Sequence, residues 1–153
     1  MYTKILVPLD GSETAECVFP TLHWLMEVSQ VNEVVLVRVV EPFHPGGGVD
    51  GSVPPDEREA IDEDAEQASQ DYLNGVAGQF KKEGVALTTI VLEGKPAEQV
   101  GDYASKNGVD LILMATHGYS GLQRMLRGST ADGILHAAHV PVLLVRPKDR
   151  TPA

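Results

Sequence analysis

Basic residues are scarce in this 153-residue chain: twelve Lys and Arg stand against twenty-two Asp and Glu, a formal net charge of -10. Gripping a phosphate backbone by counterion release needs the opposite balance, so no nucleic-acid partner is expected. An anionic membrane surface is disfavoured for the same reason. Cysteine is almost absent, and Cys17 has no partner for an intrachain disulfide, as in a reducing compartment. Long hydrophobic runs are missing too. The longest on a core strand, Leu111 to Ala115, has five residues, far short of a bilayer span. The opening Met1-Tyr2-Thr3-Lys4 leads straight into an apolar strand and an acidic segment, unlike a signal peptide. What remains predicts a soluble, cytoplasmic protein with one domain over 1-147 and a short C-terminal tail over 148-153.

Five short apolar runs are present: Ile5-Leu6-Val7, Val34 to Val40, Leu87 to Leu92, Leu111 to Ala115 and Val142 to Val145. They are continuous rather than alternating, the habit of parallel strands buried on both faces. Helical periodicity fills the gaps. Ala15, Val18, Phe19, Leu22, Leu25 and Met26 draw one apolar stripe, with Ser12 or Thr14 placed to cap it. Pro20 should kink or restart that helix. Asp56 to Lys82 reads as an acidic helix with Ala60, Ile61, Ala65, Ala68, Tyr72, Leu73, Val76 and Phe80 inward and Gly84 as its stop. Lys95-Pro96 opens a third helix, and Ser129 to His139 forms a fourth, ended by Pro141. The order βαβαβαβαβ predicts an open five-stranded parallel α/β sheet, order 3-2-1-4-5, with helices on both faces in a Rossmann-like arrangement. Eight of the sixteen residues from Glu41 to Asp56 are Gly or Pro, so this stretch should be a mobile loop.

Several familiar patterns fail on inspection. The residues from Gly46 to Gly51 satisfy the spacing G-x-G-x-x-G, but Pro42 and Pro45 part them from the strand and Pro54-Pro55 from the helix. Gly94-Lys95 is followed by Pro96 rather than Ser or Thr, so it is no P-loop. Gly118-Tyr119-Ser120-Gly121 lacks the G-x-S-x-G spacing of a serine-hydrolase elbow.

The informative segment runs from Met114 to Thr130. It leaves the fourth strand, carries Gly118, Gly121 and Gly128, and enters the fourth helix at Gly128-Ser129. Glycine lets backbone amides approach a ligand, and a helix start offers unpaired N–H groups and about half a positive charge. Ser129 and Thr130 add hydroxyls, while Arg124 and Arg127 add local positive charge. The plainer reading is a connecting loop in which Ser129 caps the helix with Asp132 as its capping-box partner. In open α/β sheets, ligands lie at the carboxyl ends of strands where the winding reverses. Here that crevice is framed by the Pro8 to Ser12 loop and the Ala115 to Ser129 loop. Asp10, ending a buried strand, needs polar partners: a sugar hydroxyl, a neighbouring backbone amide or the start of the first helix.

These residues, with the terminal Pro141-Val142-Leu143-Leu144-Val145-Arg146-Pro147, resemble the universal stress protein family over essentially the whole chain. The ATP-binding members carry G-x2-G-x9-G-(S/T). Gly118 matches the second glycine and Gly128-Ser129 the end, while Ala115 stands where the first glycine belongs, putting a methyl group near the nucleotide. The resemblance implies an ATP-binding regulator of stress responses with a divalent cation, Mg2+, on the phosphates. Because the site offers amides, hydroxyls and one carboxylate without a convincing base or nucleophile for the γ-phosphate, a nucleotide sensor and no enzyme is expected. Adenosine contacts would fall on Pro8, Asp10 and Val39, with Met114 and Ala115 nearby. Phosphate contacts would fall on Gly118, Gly128, Ser129 and Thr130. It also implies a homodimer through the last strand, Val142 to Val145, whose apolar edge otherwise invites aggregation. The rivals are a nucleotide-free structural dimer of the same family, which Ala115 favours, and a slow ATPase.

The remaining reactive side chains read as structural. His136 and His139, three apart on one predicted helix, lack a third ligand of suitable spacing, so no metal site is expected. His117 either contacts phosphate or fills its loop, and no carboxylate is assigned to orient it as a base. His23 and His44 should face solvent, and Cys17 should be a small semi-buried hydrophobe.

Overall fold

The computed structural model describes residues 1-42, 53-116 and 130-148. Segment 43-52, with His44 and the glycines from Gly46 to Gly51, and the tail from residue 149 lie outside the described residues.

Strand β1 (Lys4–Pro8) buries Ile5, Leu6 and Val7 completely, as a strand covered on both faces must. It pairs in parallel with β2 (Glu33–Val40) on one side and β4 (Leu111–Ala115) on the other. Strand β3 (Ala86–Glu93) extends the sheet beyond β2, and β5 (Val142–Val145) extends it beyond β4. The order is β3-β2-β1-β4-β5, all parallel, as the sequence predicts.

Two hydrophobic clusters sandwich the sheet. Helices α1 (Phe19–Val28) and α2 (Pro55–Gln79) cover one face, packing Leu22, Leu25, Leu73 and Val76 on Ile5, Val7, Leu36 and Leu113. Helices α3 (Pro96–Lys106) and α4 (Thr130–Ala137) cover the other, packing Val100, Ala104, Ala131 and Ile134 on Leu6, Val35, Val37 and Ile112. The helices α3 and α4 meet through small residues: a methyl group on Gly133 would stand 2.6 Å from the Ala97 Cβ. That closeness seats the start of α4 firmly against the carboxyl end of the sheet.

Local departures from expectation have identifiable causes. A 3-10 turn (Ala15–Val18) precedes α1, and Pro20 sits in the first turn of that helix. Proline is tolerated there because the first-turn N–H groups have no intrahelical partner. Helix α2 ends at Gln79, earlier than Lys82, and Gly84 (φ +82°) turns the chain into β3 instead of stopping the helix. Helix α4 ends at Ala137, since Pro141 disfavours helical backbone before it, so His139 lies past the helix.

Helix α2 also corrects the inward-facing set. Ala60, Ile61, Ala65 and Ala68 are exposed, Ile61 by 46%. At 25 residues the helix is roughly 37 Å long, against roughly 26 Å for the eight-residue β3 it covers. Its buried line is Ser69, Leu73 and Val76, leading to Phe80. Traced back in helical steps, that line meets Glu66, Ala65, Asp62 and Arg58, which offer only one small methyl group to dock.

Candidate functional site

The carboxyl ends of β1, β2 and β4 open onto one cleft of about 130 Å³, at the point where the winding reverses from β1 to β4. Six of the residues singled out from the sequence line it: Pro8, Asp10, Val39, Met114, Ala115 and Thr130. The other three, Gly118, Gly128 and Ser129, lie outside the described residues, as do His117, Arg124 and Arg127.

Strand alternation decides which side chains reach the cleft. Val37 and Val39 leave β2 on the α3/α4 face and form an apolar wall with Met114 and Val100. Ala115 is next to Met114, so its methyl group takes the opposite face and packs with the α1/α2 cluster. The alanine at the first glycine position therefore does not put its side chain on the wall that Val39 and Met114 share.

Asp10 stands at the rim of the cleft, exposed at the end of β1. Its Oδ1 accepts from the Ser12 backbone N–H at 2.9 Å and from the Ser12 hydroxyl. Ser12 Oγ in turn accepts from the Ala15 N–H at 3.1 Å, so Ser12, not Thr14, caps the 3-10 turn. Asp10 Oδ2 makes no hydrogen bond among the described residues. Gly11 between them holds φ +85°, a conformation other residues rarely adopt.

Several lining residues escape a sequence reading. Val37 lies two residues before Val39 on the same strand face, a spacing that points to it. Pro96 and Val100, from the first turns of α3, and Ala131 reach the cleft only through tertiary packing. Thr116 is fixed by its N–H donating to the Val145 carbonyl at 2.8 Å.

Cys17 and His136 do not line the cleft. Burial pushes the Cys17 thiol above its usual pKa, which keeps it protonated and unreactive at neutral pH. His136 faces Asp132 one turn back at 3.6 Å. Among the described residues no cluster of His, Cys, Asp and Glu has the makings of a metal site, and no helix is long and apolar enough to cross a membrane.

Fold and cleft together define a doubly wound α/β protein with a candidate site at its topological switch point. The family model for the universal stress protein family matches residues 1–146. Universal stress protein MJ0531 of Methanocaldococcus jannaschii is 35% identical over 147 residues, covering 95% of this chain and 83% of the relative. The solved structure of MJ0577, from the same organism, superposes with a TM-score of 0.76 at 25% identity, covering 97% of this chain and 99% of that one. A universal stress protein family protein from Arabidopsis thaliana, solved with AMP bound, shares the fold with a TM-score of 0.64 at 14% identity, covering 99% and 96%. The chain belongs to the universal stress protein family.

Proposed function

We propose that this chain is an ATP-binding, nucleotide-sensing regulator of a cytoplasmic stress response, acting as a homodimer and not as an enzyme. The observation that carries the reading is the convergence of Asp10, Val39, Met114 and Thr130 on one apolar cleft at the switch point of the sheet. The AMP bound to the Arabidopsis relative supports an adenine nucleotide as the ligand class.

The residues fit such a ligand in chemical type. Val37, Val39 and Met114 offer an apolar wall for a purine, and Asp10 Oδ2 accepts a hydrogen bond from the nucleoside. A volume of about 130 Å³ is below the ~300–1,000 Å³ of pockets that enclose a whole ligand, so the described cleft suits the nucleoside half. The reading assigns the phosphates to Gly118, Gly128, Ser129 and Thr130 at the start of α4, with Mg2+ carried on the phosphates. Bound cation supplies charge neutralisation there. The chain's own part is to hold the nucleoside and to exclude water from the apolar wall. Among the described residues the cleft holds one carboxylate, Asp10, which this reading gives to the nucleoside, and that supports a sensor rather than a rapid ATPase.

The dimer is assigned to β5, the edge strand beyond β4, where Leu143 and Leu144 are each 38% exposed on a short apolar edge. A second copy paired there removes that edge from solvent.

The test is thermal unfolding with and without nucleotide. ATP with magnesium at a hundredfold excess over its dissociation constant should stabilise the fold by about 2.7 kcal/mol. For a chain of this size that raises the melting temperature by roughly 5–10 °C. An unchanged melting temperature at millimolar ATP contradicts the proposal.

A further inference from the structure

Arg38 interrupts the apolar run of β2 between the two valines of the cleft wall. Alternation sends its side chain to the opposite face, toward α2. There its guanidinium carbon lies 5.7 Å from the centroid of the Tyr72 ring, a cation–π contact. The Tyr72 hydroxyl donates to Glu16 Oε1 at 2.8 Å, linking the ring to the 3-10 turn before α1. Burial first, and then the Glu16 carboxylate, push the Tyr72 phenol above its ordinary pKa, so this donor stays protonated.

The other flank of the guanidinium meets the Asp10 turn. A Cβ on Gly11 would stand 3.1 Å from Arg38 Nη1 and 3.4 Å from Cζ. Arg38 makes no ion pair with a carboxylate among the described residues. A half-buried cation held without such a pair gives up hydration that an aliphatic side chain would not, so packing alone is a poor account of arginine here. What it touches is the ring on one side and the turn carrying Asp10 on the other.

The geometry points to Arg38 as a positioning residue for the Asp10 turn. Held on Tyr72, and through Tyr72 on Glu16, its guanidinium braces Gly11 from the face opposite the cleft and sets where the Asp10 carboxylate stands for the nucleoside. The inference rests on the nucleotide reading above and deepens it: affinity for the nucleoside half depends on a residue that never touches the ligand.

A double-mutant cycle in the full chain, titrated calorimetrically with ATP and with AMP, tests it. Asp10→Asn keeps the oxygen that accepts from Ser12 while removing the charge. Arg38→Met keeps an unbranched stem beside Tyr72 while removing the guanidinium. Arg38→Met should weaken binding by about five- to tenfold, by the same factor for ATP and AMP, because the turn faces the nucleoside and not the phosphates. The double variant should bind no more weakly than Asp10→Asn alone, and Arg38→Lys should recover only part of the loss, since an ammonium lacks the planar stack on Tyr72. The melting temperature of nucleotide-free Arg38→Met should stay close to that of the natural chain. Unchanged affinity in Arg38→Met, or losses that add in the double variant, overturns the inference. Should Arg38→Met fail to fold, Tyr72→Phe carries the test by cutting the link to Glu16: a loss of about threefold supports the inference and no loss overturns it. If the natural chain binds neither nucleotide, or Asp10→Asn binds as tightly as the natural chain, it is the nucleotide reading that fails, and the inference falls with it.

Discussion

Replacing Gly11 by valine should destabilise the fold by about 2–6 kcal/mol and abolish binding in the cleft. Two independent penalties combine at this position. Its φ of +85° is a conformation that a β-branched residue adopts only under strain, on the order of 1–3 kcal/mol. The added Cβ would also meet Arg38 Nη1 at 3.1 Å, tighter than ordinary van der Waals contact, and valine's two further methyl carbons have to fit beside it. Overpacking of that kind typically costs about 1–3 kcal/mol. The turn that yields is the one that aims Asp10, so stability and affinity fall together. Denaturant unfolding measures the first and calorimetric titration the second. Gly11→Asn separates the penalties, because asparagine tolerates left-handed backbone better than valine and should lose less. A Gly11→Val chain within about 0.5 kcal/mol of the natural one, which is the range of neutral surface changes, would contradict this account of the turn.

The second large effect separates binding from folding. Gly128→Val should weaken ATP binding at least about a hundredfold, equivalent to ~2.7 kcal/mol, while the melting temperature of the nucleotide-free chain stays near its natural value. Gly128 closes the G-x2-G-x9-G-(S/T) pattern just ahead of Ser129 and of α4, which begins at Thr130. On the proposed reading, its missing side chain leaves room for phosphate oxygens at the amides there. On the same reading, a branched side chain takes the space that the phosphate needs. Unchanged affinity in the titration contradicts the phosphate assignment, and a collapse of the nucleotide-free fold shows that Gly128 serves the structure instead.

Much of the fold is legible in the sequence because its strands are buried on both faces. Such strands must be apolar throughout, and Ile5-Leu6-Val7 or Leu111 to Ala115 announce themselves as unbroken runs. Four crossovers between five parallel strands then leave few topologies, and the order 3-2-1-4-5 is among them. The first half of α2 misleads, because Ile61 and Ala68 have helical spacing but fall off the line that Ser69, Leu73 and Val76 bury, and Ala65, one turn before Ser69, is exposed. Periodicity reports that a stripe exists and not whether a sheet lies beneath it.

The cleft was partly legible for a related reason. Asp10 and Thr130 mark where a strand ends and where a helix begins, which sequence punctuation reveals. Pro96, Val100 and Ala131 come from α3 and α4, and only the close meeting of Gly133 with Ala97 and of Gly101 with Ala137 brings those helices over the sheet end. Arg38 is the harder case. In sequence it is a lone charge in a β-branched run, and its contact with Gly11 depends on the register that sets Pro8 beside Val37. The methyl group of Ala115 shows the converse: the sequence pattern marks a departure, and strand alternation turns it away from the wall formed by Val39 and Met114.

The most direct measurement is a crystal structure of the chain grown with saturating ATP and magnesium. The account predicts one nucleotide per chain, its adenosine against Val39 and Met114, the Asp10 carboxylate within hydrogen-bonding distance of the nucleoside, and the phosphates at the start of α4. Nucleotide bound elsewhere on the molecule, or a cleft filled only by solvent under those conditions, would contradict it.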